Sequence, residues 1–299
     1  MRLRRSELST PGSNERMMAK AVASTADLVL LDLEDAVAPN EKVAARARVV
    51  KSLKSLDWGT KTRAVRINDL ESEFAYQDVI SIVEEAGAYL DILIVPKVKA
   101  ARDVWWVDTL LTQIEQHKRL SRRIGIEVLI EEVEAMLNVE EIARASTRLE
   151  ALIFGPGDYS ASQGVDSKGI EGSHADYPGD LWHYARNKIA IAARAAHIDA
   201  IDGAYANFKD SAGYQSECIR ARTLGFVGKW AIHPDQLQIA NQVFSPSAEE
   251  VAYARRLDAA YTAALDQGLG AIAFEGKMVD AAIVRSVRNI IIKADLIGM

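Results

Sequence analysis

The sequence predicts an α/β protein: a closed (β/α)8 barrel of the TIM type with a helical C-terminal extension. Eight short apolar runs recur before residue 235. Amphipathic stretches, apolar at spacings of three and four, separate most of them. The chain then runs on well past the eighth. Strands alternating with helical crossovers make a parallel sheet, and eight of them can close it.

The first candidate strand is "RSELST" (5–10), followed by Pro11 and Gly12 at a turn before a helix. "LVLLDLE" (28–34) is the second, apolar enough to be covered on both faces. "TRAVRIN" (62–68) and "DILIVPK" (91–97) follow, with "EFAYQDVISIVEEAG" between them as a helix stopped by glycine. "IGIEVLI" (124–130), "ALIFGP" (151–156), "HIDAIDG" (197–203) and "GKWAIHP" (228–234) complete the set. Residues 161–181, rich in Gly, Ser and Asp, read as a long loop of the kind compact domains keep for function. The expected division is a barrel domain, residues 1–244, and an extension, residues 245–299. In the extension a helix, the glycine-containing "DQGLGAIAFEGKMVD" and a last helix form a lid, or an arm that reaches a neighbouring subunit. Trp105 and Trp106, and the aromatics of "LWHYARNKIAIAARAA", read as packing on helices; His183 belongs to the start of the latter.

Composition excludes several classes. A formal charge of −6 argues against nucleic-acid binding, which needs a basic face. A single cysteine, Cys218, rules out an intrachain disulfide framework and a clustered cysteine metal site. No apolar run reaches the roughly 18–20 residues of a membrane span, and basic "MRLRR" lacks the apolar stretch of a signal peptide. A soluble cytoplasmic protein is the expectation. The five histidines show no metal-ligand spacing, and no serine or cysteine nucleophile motif is present.

In such barrels the chemistry sits where strands end. Those positions hold Glu34 and Asp35, Arg66 and Asn68, Lys97, Glu131, Asp158, Asp202 and His233. Carboxylates that converge raise one another's pKa unless a cation compensates. Arginine, lysine or a metal ion can supply it. A hard divalent ion takes one or two carboxylates plus water and substrate oxygens. Glu131 and Asp158, directly after apolar strands, are the best direct ligands, with Gly155 and Gly157 letting substrate approach the backbone. Glu34 and Asp35 would then hold metal-bound waters. The competing reading is that these acids cap helices or pair with lysines. Arg66 points into the mouth, able to grip a carboxylate with two parallel hydrogen bonds, to balance Glu34 or Asp35, or both. Asn14, Arg16 and Lys20, at a helix start, suit phosphate only weakly.

The motifs "LDLEDAVAPNEK", "LDWG" with "VRIN", "IVPKV", "NVEEIA", "GPGDYSAS", "DLWHYA", "GKWAIHP" and "GKMVD" span nearly the whole chain in order. Together they resemble the citrate lyase β-subunit-like, or HpcH/HpaI aldolase-related, superfamily, and within it the L-malyl-CoA/β-methylmalyl-CoA lyase branch. That resemblance implies a Mg²⁺-dependent enzyme, with Mn²⁺ an acceptable substitute, assembled as a homotrimer or homohexamer. It implies reversible cleavage of malyl-CoA-type thioesters into glyoxylate and an acyl-CoA. Carried over, Glu131 and Asp158 are the metal ligands, and Arg66 binds the oxo-acid and polarises the thioester. Asp280 is the acid/base supplied by a neighbour's arm, a role that neither spacing nor composition indicates. Ser9, Thr10, Asn14, Lys20, the backbone at Gly157 and the pair Ile232–His233 fall at CoA contacts. Glu132 and Ala135 depart from the small residue and glycine usual after the metal-binding glutamate. Citramalyl-CoA cleavage, malyl-CoA thioester hydrolysis and non-catalytic CoA-ester binding are the alternatives.

Overall fold

Each apolar run forms a parallel strand in the computed structural model, which describes residues 2–166 and 179–299. The strands are β1 (Ser6–Pro11), β2 (Leu28–Asp32), β3 (Thr62–Arg66), β4 (Ile92–Val95), β5 (Gly125–Ile130), β6 (Leu149–Phe154), β7 (Asp199–Asp202) and β8 (Gly228–Ala231). They close in sequence order, with β8 pairing back onto β1. The predicted (β/α)8 barrel is therefore the fold.

Helices cover the outside because each crossover buries one apolar stripe against the strands. They are α1 (Glu15–Val22), α2 (Lys42–Ser55), α3 (Ala75–Ala86), α4 (Ala101–Lys118), α5 (Val133–Ile142), α6 (Pro156–Gln163), α7 (His183–Ala195), α8 (Ser211–Leu224) and α9 (Asp235–Phe244). Asn14 starts α1 by accepting a hydrogen bond from the Met17 N–H (3.0 Å). Strand alternation sends Leu28, Leu30, Ala64, Ile92, Ile94, Leu129, Ala151, Ile153, Ile201 and Trp230 into one buried cluster that fills the barrel.

Several readings need correction. The run 161–181 is not all loop: α6 extends to Gln163, and residues 167–178 lie outside the described residues. Trp105 and Trp106 are not core, being 53% and 43% exposed, and the Trp105 indole donates to the Ala145 carbonyl. His183 does begin α7, but it and Tyr184 face outward.

Residues Arg4–Asn241 make one compact unit, and Gln242–Met299 belong to a second. The second unit is not purely helical. Between α10 (Ala248–Leu265) and α11 (Ala281–Leu296) lies an antiparallel hairpin, β9 (Ala271–Phe274) with β10 (Lys277–Asp280). Its turn residues Glu275 and Gly276 have φ of 47° and 78°, the left-handed pair a tight hairpin requires. Ala254, Leu257, Tyr261, Val279, Val284 and Val287 form this unit's own core. No helix among the described residues is long and apolar enough to cross a membrane.

Candidate active site

Strand parity builds the site. On β2, positions 28, 30 and 32 face inward; on β3, 64 and 66; on β5, 127, 129 and, just past its end, 131. The first two levels pack the barrel and the last brings Asp32, Arg66 and Glu131 to the C-terminal mouth. Asp32 and Arg66 are register partners. The guanidinium donates from Nε to Asp32 Oδ1 (2.8 Å) and from Nη2 to Oδ2 (2.6 Å). Its Nη1 lies 2.8 Å from Glu34 Oε2 and 3.8 Å from Asp35 Oδ2. The two-pronged edge of Arg66 is thus already committed to Asp32. The Trp230 ring lies beneath it, 5.4 Å from the guanidinium carbon.

The opposing carboxylates come from β5 and β6. Glu131 is buried, and Gly155 is what makes room for it: a Cβ there would collide with the Glu131 carboxylate. Gly155 therefore shapes the site for a protein side chain rather than for substrate, whereas Gly157 has open space around its Cα. Burial, then the neighbouring Asp158 charge, pushes the Glu131 carboxyl up to about 8. Asp158, in the first turn of α6, has a side chain 43% exposed. Burial also raises Glu34, against the pull of Arg66 and Lys97.

Lys97 links the two groups. Its Nζ donates to Glu34 Oε1 (2.7 Å) and lies 3.5 Å from Asp35 Oδ1 and 3.8 Å from Asp158 Oδ1. Its backbone N–H donates to Glu131 Oε1 (2.9 Å). So the acids of "DLED" are met first by Arg66 and Lys97, and Asp32 acts as the anchor of Arg66. The expected balancing of Glu34 or Asp35 by Arg66 is borne out by these distances. The sequence does not indicate the Arg66–Asp32 pair or the contacts of Lys97, which depend on strand register and on the turn after β4.

The remaining candidates divide. Ser9 and Thr10 are on β1 and Gly157 is at the start of α6, all at the C-terminal end of the strands; Lys20 is exposed in the last turn of α1. The Ile232 and His233 N–H groups are both taken by Gln236 Oε1 (2.8 and 3.3 Å), and the His233 ring stacks on Phe208 at 4.9 Å. Asp202 is not part of the mouth. Parity turns it outward, where it accepts from Arg186 Nε (2.9 Å) and Lys229 Nζ (2.6 Å), all fully buried. Asn68 is likewise tied outward, donating from Nδ2 to Asp78 (2.7 Å). Asp280 caps α11, its Oδ1 accepting from the Ala282 and Ile283 N–H groups (3.0 and 3.1 Å). It lies in the second unit. Glu132 accepts from the Ser162 hydroxyl (2.8 Å), tying α5 to α6.

Among the described residues no group of three or more His, Cys, Asp or Glu is arranged to hold a metal ion. Glu131 and Asp158 nonetheless fit a hard divalent ion, which needs only two carboxylates beside water and substrate oxygens. Their mutual repulsion is what such an ion would remove.

A closed parallel barrel with charged side chains from separate strands gathered at its C-terminal mouth has the layout of a (β/α)8-barrel enzyme. Residues 5–234 match the HpcH/HpaI aldolase/citrate lyase family, and the chain belongs to that family. It is 42% identical to the L-malyl-CoA/β-methylmalyl-CoA lyase of Cereibacter sphaeroides, over 98% of this chain and 95% of the relative. A (3S)-malyl-CoA thioesterase of the same species is 36% identical over 98% and 95%. The protein CitE from Mycobacterium tuberculosis, in a crystal structure with magnesium, acetoacetate and coenzyme A, is 28% identical. It superposes with a TM-score of 0.75 over 97% of both chains.

Proposed function

We propose that this chain is a Mg²⁺-dependent carbon–carbon lyase. It cleaves L-malyl-CoA and β-methylmalyl-CoA to glyoxylate and acetyl-CoA or propionyl-CoA, and runs the condensation in reverse. One observation carries the reading: Asp158 and Arg66 both stand within electrostatic reach of the buried Glu131 in a chain so similar to such a lyase. Mg²⁺ held by those carboxylates, or Mn²⁺ in its place, would supply Lewis-acid polarisation and a template for the oxo-acid. Arg66, fixed by Asp32, presents a positive charge that cannot be lost where the thioester oxygen gains negative charge. Glu34 and Asp35 would hold metal-bound waters. Ser9, Thr10, Asn14, Lys20, Gly157 and Ile232–His233 line the CoA path. Asn14 adds no charge there.

In this reading the residue 245–299 extension completes a neighbouring subunit's site in a cytoplasmic homotrimer or homohexamer. Asp280 removes the proton alpha to the thioester in condensation and returns it in cleavage. Thioester hydrolysis is the second reading, favoured by the similarity to the thioesterase.

The test is one assay with Mg²⁺ and three substrates: malyl-CoA, β-methylmalyl-CoA and citramalyl-CoA. Glyoxylate with acyl-CoA supports the lyase, and free CoA without glyoxylate supports hydrolysis. Preference for citramalyl-CoA would reassign the oxo-acid to pyruvate, a discrimination of only roughly 1–3 kcal/mol per methyl group. No turnover would leave a CoA-ester-binding protein. The shared site has its own test. Asp280→Asn keeps an oxygen to cap α11 and should be inactive, as should Asp158→Ala. Mixed under demonstrated subunit exchange, the two should partly regain activity. A mixture that stays dead puts Asp280 and the metal ligands to work in the same chain.

A further inference from the structure

Among the described residues at the mouth, Lys97 alone combines two features. It is a non-glycine residue at φ 49°, a left-handed conformation that L side chains adopt at a cost. It also touches the acidic cluster through both its main chain and its side chain. The left-handed turn directly after β4 aims the Lys97 N–H at Glu131 Oε1 (2.9 Å). From the same residue the ammonium group reaches Glu34 (2.7 Å), Asp35 (3.5 Å) and Asp158 (3.8 Å). Arg66, the other cation here, contacts Glu34 and Asp35 from the β3 side and is held back by Asp32. Among the described residues, Lys97 is therefore the cation that lies against Asp158.

We infer that Lys97 is a positioning residue with two separable tasks. Its main-chain N–H fixes the orientation of the Glu131 carboxylate. Its ammonium group is a tethered counter-cation that limits how tightly the carboxylates hold a divalent ion. A like charge this close to a metal ligand opposes the metal, and it does so without taking a ligand position. The strain at φ 49° is kept because a relaxed backbone would turn the N–H away from Glu131. This inference rests on the Mg²⁺ reading above.

The two tasks are tested with Lys97→Met, Lys97→Gly and Lys97→Arg, titrated with magnesium chloride by calorimetry without substrate and followed by thermal unfolding. Met removes the charge and keeps the strained backbone. Gly removes the charge and relieves the strain. Arg restores the charge. Met and Gly should both bind Mg²⁺ at least about fivefold more tightly than wild type, the effect of one charge near 4 Å in a solvated site. Arg should return to within about twofold of wild type. Gly should have the higher Tm of the two uncharged variants, because it takes φ 49° without strain. A side chain that merely props up the fold would not tighten metal binding when removed. If wild type binds Mg²⁺ and Met and Gly bind it equally or more weakly, the counter-cation role is overturned. If Gly is no more stable than Met, the strain argument is overturned. A wild type that takes up no Mg²⁺ overturns the metal reading itself, and this inference with it.

Discussion

The two mouths of the barrel carry clusters of the same kind of side chain, and they resolve the same problem in opposite ways. At the N-terminal mouth Arg4 donates to Glu127 (2.8 Å), Asp199 (3.0 Å) and Glu150 (2.5 Å). Glu7 lies close by, accepting from the Trp230 indole (2.8 Å). At the C-terminal mouth Arg66 and Lys97 face Asp32, Glu34, Asp35, Glu131 and Asp158. Among the residues just named, carboxylates outnumber cations in both clusters. The difference is access. Glu7 and Glu127 are fully buried, each with an oxygen that finds no hydrogen-bond partner, and burial raises both carboxyls. Burial there favours the protonated form as the way to relieve the excess. At the other mouth the Asp158 and Asp35 side chains are 43% and 54% exposed, so a cation from solution can relieve it. Exposure decides whether an acidic cluster becomes a plug or a binding site. Trp230 separates the two, its indole N–H bonded to Glu7 and its ring under Arg66.

The largest effect should come from the open mouth. Glu131→Ala or Asp158→Ala should lower kcat at least about a thousandfold, roughly 4 kcal/mol of transition-state stabilisation, with the fold retained by circular dichroism. Mg²⁺ should raise the Tm of wild type and not of either variant. Full activity after metal stripping in excess EDTA would end the assignment. At the closed mouth the largest effect should be on stability alone. Arg4→Met leaves Glu127, Glu150 and Asp199 without their shared cation and should cost about 3 kcal/mol in denaturant unfolding. The kcat per folded molecule should not change. A large fall in kcat would show that the two ends are coupled through Trp230. Arg66→Lys should fall between these cases. A lysine keeps the charge but cannot span both Asp32 oxygens, so kcat/KM should drop at least about tenfold, roughly 1.4 kcal/mol. Wild-type kinetics would make Arg66 a structural partner of Asp32.

How much of this contrast is legible in the sequence depends on which physical rule sets each part. Eight apolar runs and their crossovers suffice for the barrel, because burial on both faces leaves a local signal. Arg66, Glu131 and Asp158 follow from strand ends. Asp202 shows the limit of that reasoning: it is at a strand end too, but one residue of offset turns it outward to Arg186 and Lys229. The closed mouth leaves no local signal, because its members sit at strand beginnings and join only through barrel closure, Arg4 reaching Glu127 across 123 residues. The left-handed turn at Lys97 has no sequence mark, since glycine or asparagine would ordinarily signal it. The hairpin 271–280 did have one, a two-residue turn ending in Gly276 between alternating runs. Trp105 and Trp106 misled because apolar character alone does not say which helix face is covered.

The smallest expected effect tests the proposed protonation of the closed mouth. With its folded-state pKa raised, Glu7 holds a proton in the folded protein at pH values where the unfolded chain has released it. The folded state then binds more protons than the unfolded state, so stability falls as pH rises above the ordinary carboxylate range. Glu7→Gln mimics the protonated side chain: its oxygen can still accept from the Trp230 indole, and nothing remains to ionise. Glu131 titrates in both proteins and cancels, whereas Glu127 is the neighbouring charge that, after burial, raises Glu7, so the difference reports the Glu7–Glu127 pair. As pH rises above the ordinary carboxylate range, the Tm of wild type should fall more steeply than that of Glu7→Gln. Parallel Tm profiles would mean that Glu7 is ionised in the folded protein. Arg4 would then be neutralising it, and the closed mouth would hold its acids by ion pairing as the open one does.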